Sequence, residues 1–186
     1  NLTSDIISFM HLHPNRGAMG GLMVDGRHHF LPESKRGIPT IFRAFCKFSG
    51  LTTLFPKSKL WAGYYLGHLP INQQHNIEAL TGAFMVLNSE AIKKTGGFDE
   101  QYFMYGEDID LSYRIINNGY KILYNPAIKI LHFKGESTTK NSVYVILFYL
   151  AMKLFYKIHF KMKINKYRFR IVLLLIHIIS YFSRIK

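Results

Sequence analysis

The spacing of apolar and polar positions alternates along the chain between a helical and an extended period. Behind a Thr3-Ser4 cap, Ile6, Ile7, Phe9, Met10 and Leu12 predict a short helix, which His13-Pro14-Asn15-Arg16-Gly17 ends. Ala18 to Val24 is an apolar run closed by Asp25-Gly26, the pattern of a buried strand and a turn. Arg27 to Pro39 is polar, basic and turn-rich. Thr40 to Leu51 predicts an amphipathic helix with Arg43 and Lys47 on one side, and Thr52 to Asn76 has no clear period, which is the mark of a functional loop or lid. Ile77 to Leu87 is the best strand candidate, interrupted by Gly82. A short helix capped by Asn88-Ser89-Glu90 follows and stops at Gly96-Gly97. From Glu107 to Asn118, Ile109, Leu111, Ile115 and Ile116 recur at helical spacing, and two extended segments, Tyr120 to Tyr124 and Ala127 to His132, then flank Asn125-Pro126. Helix, loop and strand in this rhythm predict an α/β layer.

The end of the chain has a different character. Val143 to Phe160 predicts an amphipathic helix, with Val143, Leu147, Leu150, Leu154 and Ile158 near one face and Lys153, Lys157 and Lys161 elsewhere. Ile171 to Ile179 is apolar but far shorter than the roughly 20 residues a spanning helix needs. An in-plane amphipathic anchor is the simpler expectation.

Composition adds to this picture in two ways. A hydrophobic content of 48% is enough for a core and argues against intrinsic disorder. The formal net charge of +13 is unevenly placed: residues 134–186 hold 11 Lys or Arg and a single acid, Glu136, while residues 1–133 hold 13 against 10. A basic tail interleaved with aliphatic residues points to an anionic lipid surface, and the run from Ile171 to Ile179 disfavours nucleic acid, for which it has no use. Cys46 is the one cysteine, which excludes an internal disulfide framework and fits a reducing, cytosolic setting. The chain begins at Asn1 without a signal-peptide layout and reads as a piece of something longer.

Candidate chemistry concentrates between Gly96 and Arg114, GGFDEQYFMYGEDIDLSYR. Glu107, Asp108 and Asp110 are bordered by Phe103, Met104, Tyr105 and Ile109, an environment in which burial can raise a carboxyl pKa. At a helix start, Glu107-Asp108 is also what the helix dipole favours without any catalytic role. His132, at a strand end, could ligate a divalent ion or simply be packed.

Residues 81–138 closely resemble the C-terminal half of the catalytic domain of family 2 glycosyltransferases, in particular the bacterial rhamnosyltransferase-like branch. The resemblance rests on Thr81-Gly82-Ala83-Phe84-Met85, Gly96-Gly97-Phe98-Asp99-Glu100, Phe103, Gly106-Glu107-Asp108-Ile109-Asp110-Leu111, Arg114, Gly119-Tyr120, and His132 with Gly135-Glu136-Ser137. A looser resemblance extends over residues 1–55. It implies the C-terminal portion of a GT-A fold, an α/β domain on a mostly parallel sheet, that transfers a sugar from a nucleotide-diphosphate donor with inversion. Residues 1–140 would form a partial GT-A domain carrying the acceptor half, and 141–186 a basic, helical, membrane-associating tail.

By the same resemblance the acid pair supplies the base, Asp108 in first place with Glu107 as the alternate, and His132 is a ligand to a divalent metal ion, Mg2+ or Mn2+. Gly106 would contact substrate, and Gly82, Ala83 and Phe84 would line the acceptor side, although a small residue in a buried strand reads the same way. Trp61, with Tyr64 and Tyr65, could stack on a sugar or pack in a lid. Arg36 could meet a phosphate of a lipid-linked acceptor or lie in solvent, and Lys134 and Ser137 could touch the diphosphate. The family's donor half and its Asp-x-Asp motif correspond to sequence upstream of Asn1, since Asp108-Ile109-Asp110 falls in the acid-pair helix.

The expected function is therefore inverting sugar transfer, with rhamnose one donor sugar, from a nucleotide-diphospho-sugar to a lipid-linked or glycan acceptor in cell-envelope synthesis. It would take place at the inner, cytoplasmic face of the membrane. The alternative is a non-catalytic membrane-associated fragment or partner subunit that keeps the acceptor half of the fold.

Overall fold

The computed structural model describes residues 2–133, 142–162 and 164–183. Contacts within the chain separate two compact units. One comprises Asn1–Gly97 and Leu111–Phe133, the other Phe98–Asp110 and Lys134–Lys186.

The first unit is built on a four-stranded sheet in the order β2-β4-β1-β3, with β1 at Arg16–Val24, β2 at His75–Ile77, β3 at Val86–Leu87 and β4 at Lys121–Leu131. β1 and β4 are parallel, and both outer strands pair antiparallel, β2 on β4 and β3 on β1. The sheet is thus mixed, and only its central pair has the parallel arrangement the resemblance implies.

Alternation along the strands sorts their side chains to two faces. On one face Ala18, Ile122 and Tyr124 pack with Leu111 and Ile115 of helix α5, Glu107–Asn117. On the other, Met19, Leu123 and Ile128 meet Met10, Ile6 and Phe9 of helix α1, Leu2–Leu12. The sheet is therefore covered on both sides, as parallel strands require.

Two extended segments expected around Asn125-Pro126 are a single strand. β4 runs through Pro126, and its register against β1 jumps from Gly21↔Asn125 to Leu22↔Lys129. Pro126, which has no N–H to give to a ladder, falls within that irregularity. Gly21 makes it possible, because a Cβ there would collide with the Ile128 carbonyl oxygen. The expected strand from Ile77 to Leu87 is instead two short strands with a turn between them, where the Phe84 N–H donates to the Thr81 carbonyl at 3.3 Å.

Helix α2, Ile41–Phe48, is capped by the Thr40 hydroxyl, which accepts from Arg43 N at 3.2 Å. Left-handed Gly50 separates it from the single turn α3, Leu51–Leu54. The segment that follows lacks regular secondary structure but is tied down. Thr52 Oγ1 donates to the Trp61 carbonyl at 2.8 Å, and Gly37 N donates to that of Tyr64 at 2.9 Å.

Lys35, read from the sequence as part of a polar loop, is almost completely buried. Its Nζ donates to the Leu66 carbonyl at 2.8 Å and lies 5.7 Å from the centre of the Phe30 ring. Burial lowers its pKa to about 8. Because the folded pKa lies below the unfolded value, the unfolded chain binds more protons between the two, so this group makes stability rise with pH from about 8 towards 10.5. Tyr124, whose hydroxyl is pushed up to about 12 by burial, acts in the opposite sense above pH 10. Subtracting the denaturant stability of Lys35→Met from that of the parent cancels the tyrosine. The difference is expected to climb between pH 8 and pH 10.5, and a flat difference would show that Lys35 has an ordinary pKa.

In the second unit, α6, Ser142–Phe160, packs with α7, Lys166–Ser183. Tyr149, Met152, Phe155 and Tyr156 of α6 and Val172 and Ile176 of α7 are buried. Ile171, Leu174, Leu175, Ile178 and Tyr181 form an exposed apolar stripe at helical spacing, and Lys166, Arg168 and Arg170 lie near the start of α7. Among the described residues, no helix is long and apolar enough to cross a membrane.

Candidate active site

The acid pair is delivered by a backbone turn that L-residues seldom adopt. Tyr105 has φ 66° and Gly106 φ 85°, both left-handed, and the next residue, Glu107, opens α5. A non-glycine residue held there costs of order 1 kcal/mol and is typically found where position matters more than comfort. Gly106 is required twice over. Its φ suits glycine, and a Cβ would lie 3.2 Å from the Ala151 Cβ of α6 and 3.3 Å from the Tyr102 ring. Its carbonyl accepts the Asp110 N–H at 2.8 Å, which starts the helix ladder.

Asp108 is buried, and its Oδ1 accepts the Ile109 N–H at 2.7 Å. Glu107 is half-buried. Asp110 is fully buried, its Oδ1 2.5 Å from His159 Nε2 of α6 and 3.3 Å from the Tyr102 hydroxyl, which donates to it. Asp108 and Asp110 are enclosed, but Phe103 and Met104, which their sequence neighbourhood suggests as cover, are exposed, Phe103 to 84%. Within this unit Tyr102 and His159 both meet Asp110.

The remaining described candidates belong to the first unit. Arg114 holds the glycine turn, with Nη2 donating to the Gly97 carbonyl at 2.8 Å and Nη1 to that of Thr95 at 2.5 Å. These carbonyls lie at the end of helix α4, Ser89–Thr95, where a cation is favoured. Gly82 and Ala83 are exposed in the turn between β2 and β3, so the buried-strand reading of these small residues does not hold. Phe84 packs partly into the α1 side of the core. The turn is fixed to α5 by the Leu80 N–H, which donates to Ser112 Oγ at 3.2 Å.

Arg36 does not extend into solvent. Its guanidinium donates to the Leu80 carbonyl, and its backbone bridges to Ala79. Trp61 is half-buried with its ring 5.7 Å from that of Phe42, whereas Tyr64 is buried and lies against Tyr65 with Lys47 Nζ 4.2 Å from its ring centre. Lys134 and Ser137 lie outside the described residues.

His132 follows β4, its N–H donating to the Val24 carbonyl at 2.8 Å, so it stands at the carboxyl ends of the two parallel strands. That edge is where open α/β sheets bind ligands. Asp25 occupies the same edge on β1, a carboxylate that sequence reading took only for a turn signal. The His29 N–H first, and that of Arg27, both donating at 2.8 Å, hold its carboxyl below the usual range. No cluster of three or more His, Cys, Asp or Glu side chains able to hold a metal occurs among the described residues, so His132 alone does not make a metal site.

His159 is the functional-region residue that sequence reasoning missed. It stands 49 positions beyond Asp110 in a helix read only as a membrane anchor, and no local pattern marks it.

The class of protein is given by comparison with known sequences. Residues 64–147 match the model of the family described as "Glycosyltransferase like family 2", and the chain belongs to that family. It is 31% identical over 128 residues to the N-acetylglucosaminyl-diphospho-decaprenol L-rhamnosyltransferase of Mycobacterium tuberculosis, an alignment covering 69% of this chain and 41% of that protein. It is 37% identical over 57 residues to rhamnosyltransferase WbbL of Escherichia coli, covering 31% of this chain and 22% of that protein. A pre-mycofactocin glycosyltransferase of Mycobacterium tuberculosis is 35% identical over 63 residues, 34% of this chain and 13% of that protein. The chain thus spans about two-fifths or less of the length of these relatives. No solved structure matches it.

Proposed function

We propose that the chain forms the acceptor half of an inverting GT-A glycosyltransferase that moves a sugar, with rhamnose the leading choice, from a nucleotide-diphosphate donor to a hydroxyl of a lipid-linked acceptor. The observation that carries this reading is the acid pair Glu107-Asp108, presented by the Tyr105–Gly106 turn inside the segment that matches the family. The rhamnosyltransferase names of two relatives support the sugar, and the decaprenol of one supports a lipid-linked acceptor.

In this reaction the acceptor hydroxyl gives its proton to the Asp108 carboxylate as its oxygen attacks the anomeric carbon. The bond from that carbon to the nucleotide diphosphate breaks with the electron pair leaving on the diphosphate oxygen. Glu107 is the alternate base. Gly106, two residues before Asp108, presents backbone without a side chain beside the base, and Gly82 and Ala83 would line the acceptor side by the family resemblance. Trp61 would stack on a sugar face and Arg36 would stay near the acceptor side, with Lys134 and Ser137 towards the diphosphate. A divalent ion, Mg2+ or Mn2+, would offset the charge growing on the leaving group, with His132 as one ligand.

The reading is tested by incubating the full-length protein with nucleotide-diphospho-sugars and a polyprenyl-diphosphate glycan and determining the anomeric configuration of the product. Transfer with inversion is expected. Retention of configuration, or no transfer from any donor, would overturn it and favour a non-catalytic partner subunit.

The tail would hold the enzyme at the cytoplasmic face of the cell membrane, through the apolar stripe of α7 and the basic residues near its start. Exchanging Ile171, Leu174 and Ile178 for Ser is expected to lower partition onto anionic vesicles at least tenfold, an order-of-magnitude figure from the apolar area withdrawn. Undiminished binding would dismiss α7 as an anchor. Substitution is a cleaner test than truncation at residue 141, which would also strip His159 from Asp110.

A further inference from the structure

Residues 34–77 contain six Lys or Arg and no Asp or Glu. Within this acid-free stretch, α2, α3 and the loop after them leave large apolar side chains in solvent: Phe42, Phe45, Leu54, Phe55 and Leu60, of which Leu54 is 69% exposed and Leu60 57%. They form one neighbourhood. The Phe42 ring lies against Trp61, next in sequence to Leu60, and the Trp61 carbonyl is bonded to Thr52 of α3. Phe42 and Phe45 stand three residues apart on α2, with buried Ala44 and Cys46 holding that helix to the body.

Two exposed cations, Lys57 and Lys59, lie between Phe55 and Leu60. Arg43 belongs elsewhere, since its guanidinium makes a two-pronged pair with Glu78, one arm at 2.8 Å. Although burial alone would raise it, the Glu78 carboxyl is held below its usual range by Arg43 and by the Ile38 N–H. The face itself therefore carries uncompensated positive charge around apolar tips.

We propose that this face, made by α2, α3 and the following loop, docks the first unit onto a lipid bilayer bearing anionic headgroups. Phe42, Phe45, Leu54, Phe55 and Leu60 enter the interface, while Lys57 and Lys59 remain at headgroup level. Projecting apolar residues with half-buried Trp61 behind them and lysines beside them match the layering of a membrane interface, apolar inwards, amphipathic ring at the boundary and cation outermost. A nucleic acid would leave the leucine tips without a use. A folded protein partner offers no reason for every charge of the surface to have one sign, whereas a leaflet of anionic lipid does. This surface is separate from the stripe on α7, and it does not depend on the catalytic reading, because vesicle binding reports it without turnover.

Trp61 is the chain's one tryptophan, so the face carries its own reporter. The full chain is mixed with vesicles of phosphatidylglycerol in phosphatidylcholine, or of phosphatidylcholine alone, with and without brominated acyl chains. On anionic vesicles the Trp61 emission is expected to shift to the blue and to be quenched by the bromolipid, with little change on neutral ones. Leu54→Ser with Leu60→Ser, both exposed and so tolerated by the fold, should weaken partition about tenfold and abolish the quenching. Lys57→Gln and Lys59→Gln should each weaken it about fivefold. In the α7 serine variant Trp61 should still be quenched at saturating lipid, which separates this face from the tail. An unmoved and unquenched Trp61 overturns the proposal, whether the chain stays in solution or binds vesicles by another surface. Quenching in the leucine variant equal to that of the parent overturns it as well.

Discussion

Asp108→Asn in the full-length enzyme is expected to leave donor affinity nearly unchanged and to lower turnover about a thousandfold, within the span that general base catalysis contributes. The substitution keeps shape and the local hydrogen bond, because an amide oxygen can accept the Ile109 N–H as the carboxylate does at 2.7 Å. What it removes is the ability to take a proton from an acceptor hydroxyl. Calorimetric donor binding together with single-turnover rates separates the two effects. Turnover equal to the parent would transfer the role to Glu107, the half-buried neighbour on the same helical turn, and Glu107→Gln would then show the loss.

His159→Ala should destabilise the protein by about 3 kcal/mol in denaturant unfolding, because it leaves the carboxylate of Asp110 buried with one partner fewer. Asp110 is completely enclosed and His159 Nε2 is its close partner at 2.5 Å, so water cannot readily replace the imidazole. The Tyr102 hydroxyl at 3.3 Å gives only partial compensation. Replacing both members, Asp110→Leu with His159→Leu, should recover most of the loss, since no charge is then stranded. If the single and double variants unfold alike, the pair contributes packing and not charge compensation. Within the second unit this contact joins α6 to the start of the acid-pair helix, so the basic tail has a structural task besides any it performs at a membrane.

Much of the frame was legible in the chain. The helical period of Ile109, Leu111, Ile115 and Ile116 and the Asn118-Gly119 stop place α5 correctly to within a residue, with Gly119 at φ 86°. Asn88 caps α4 as its residue type predicts, its Oδ1 accepting from Glu90 N at 2.9 Å. Where the reading failed, a neighbour distant in sequence decided the outcome. Pro126 suggested a break, yet the strand passes it because Gly21 on the facing strand makes room for the displaced backbone. Lys35 looked like a surface residue until the loop carrying Leu66 closed over it. Phe103 and Met104 promised burial for the acids, but they face solvent.

By itself the sequence determined helices α4 and α5, the Asn88 cap, the glycine turns and the order of acids behind Gly106, since each rests on backbone preferences and hydrogen bonds among residues a few positions apart, whereas α1 begins at Leu2 with the expected Thr3-Ser4 cap inside it. The tertiary structure alone decided which acid is enclosed, that His159 rather than a nearby residue meets Asp110, and which apolar side chains of α2, α3 and α7 remain in water. Those outcomes depend on how finished elements dock, and the burial and charge pairing that docking produces leave no periodic trace along the chain.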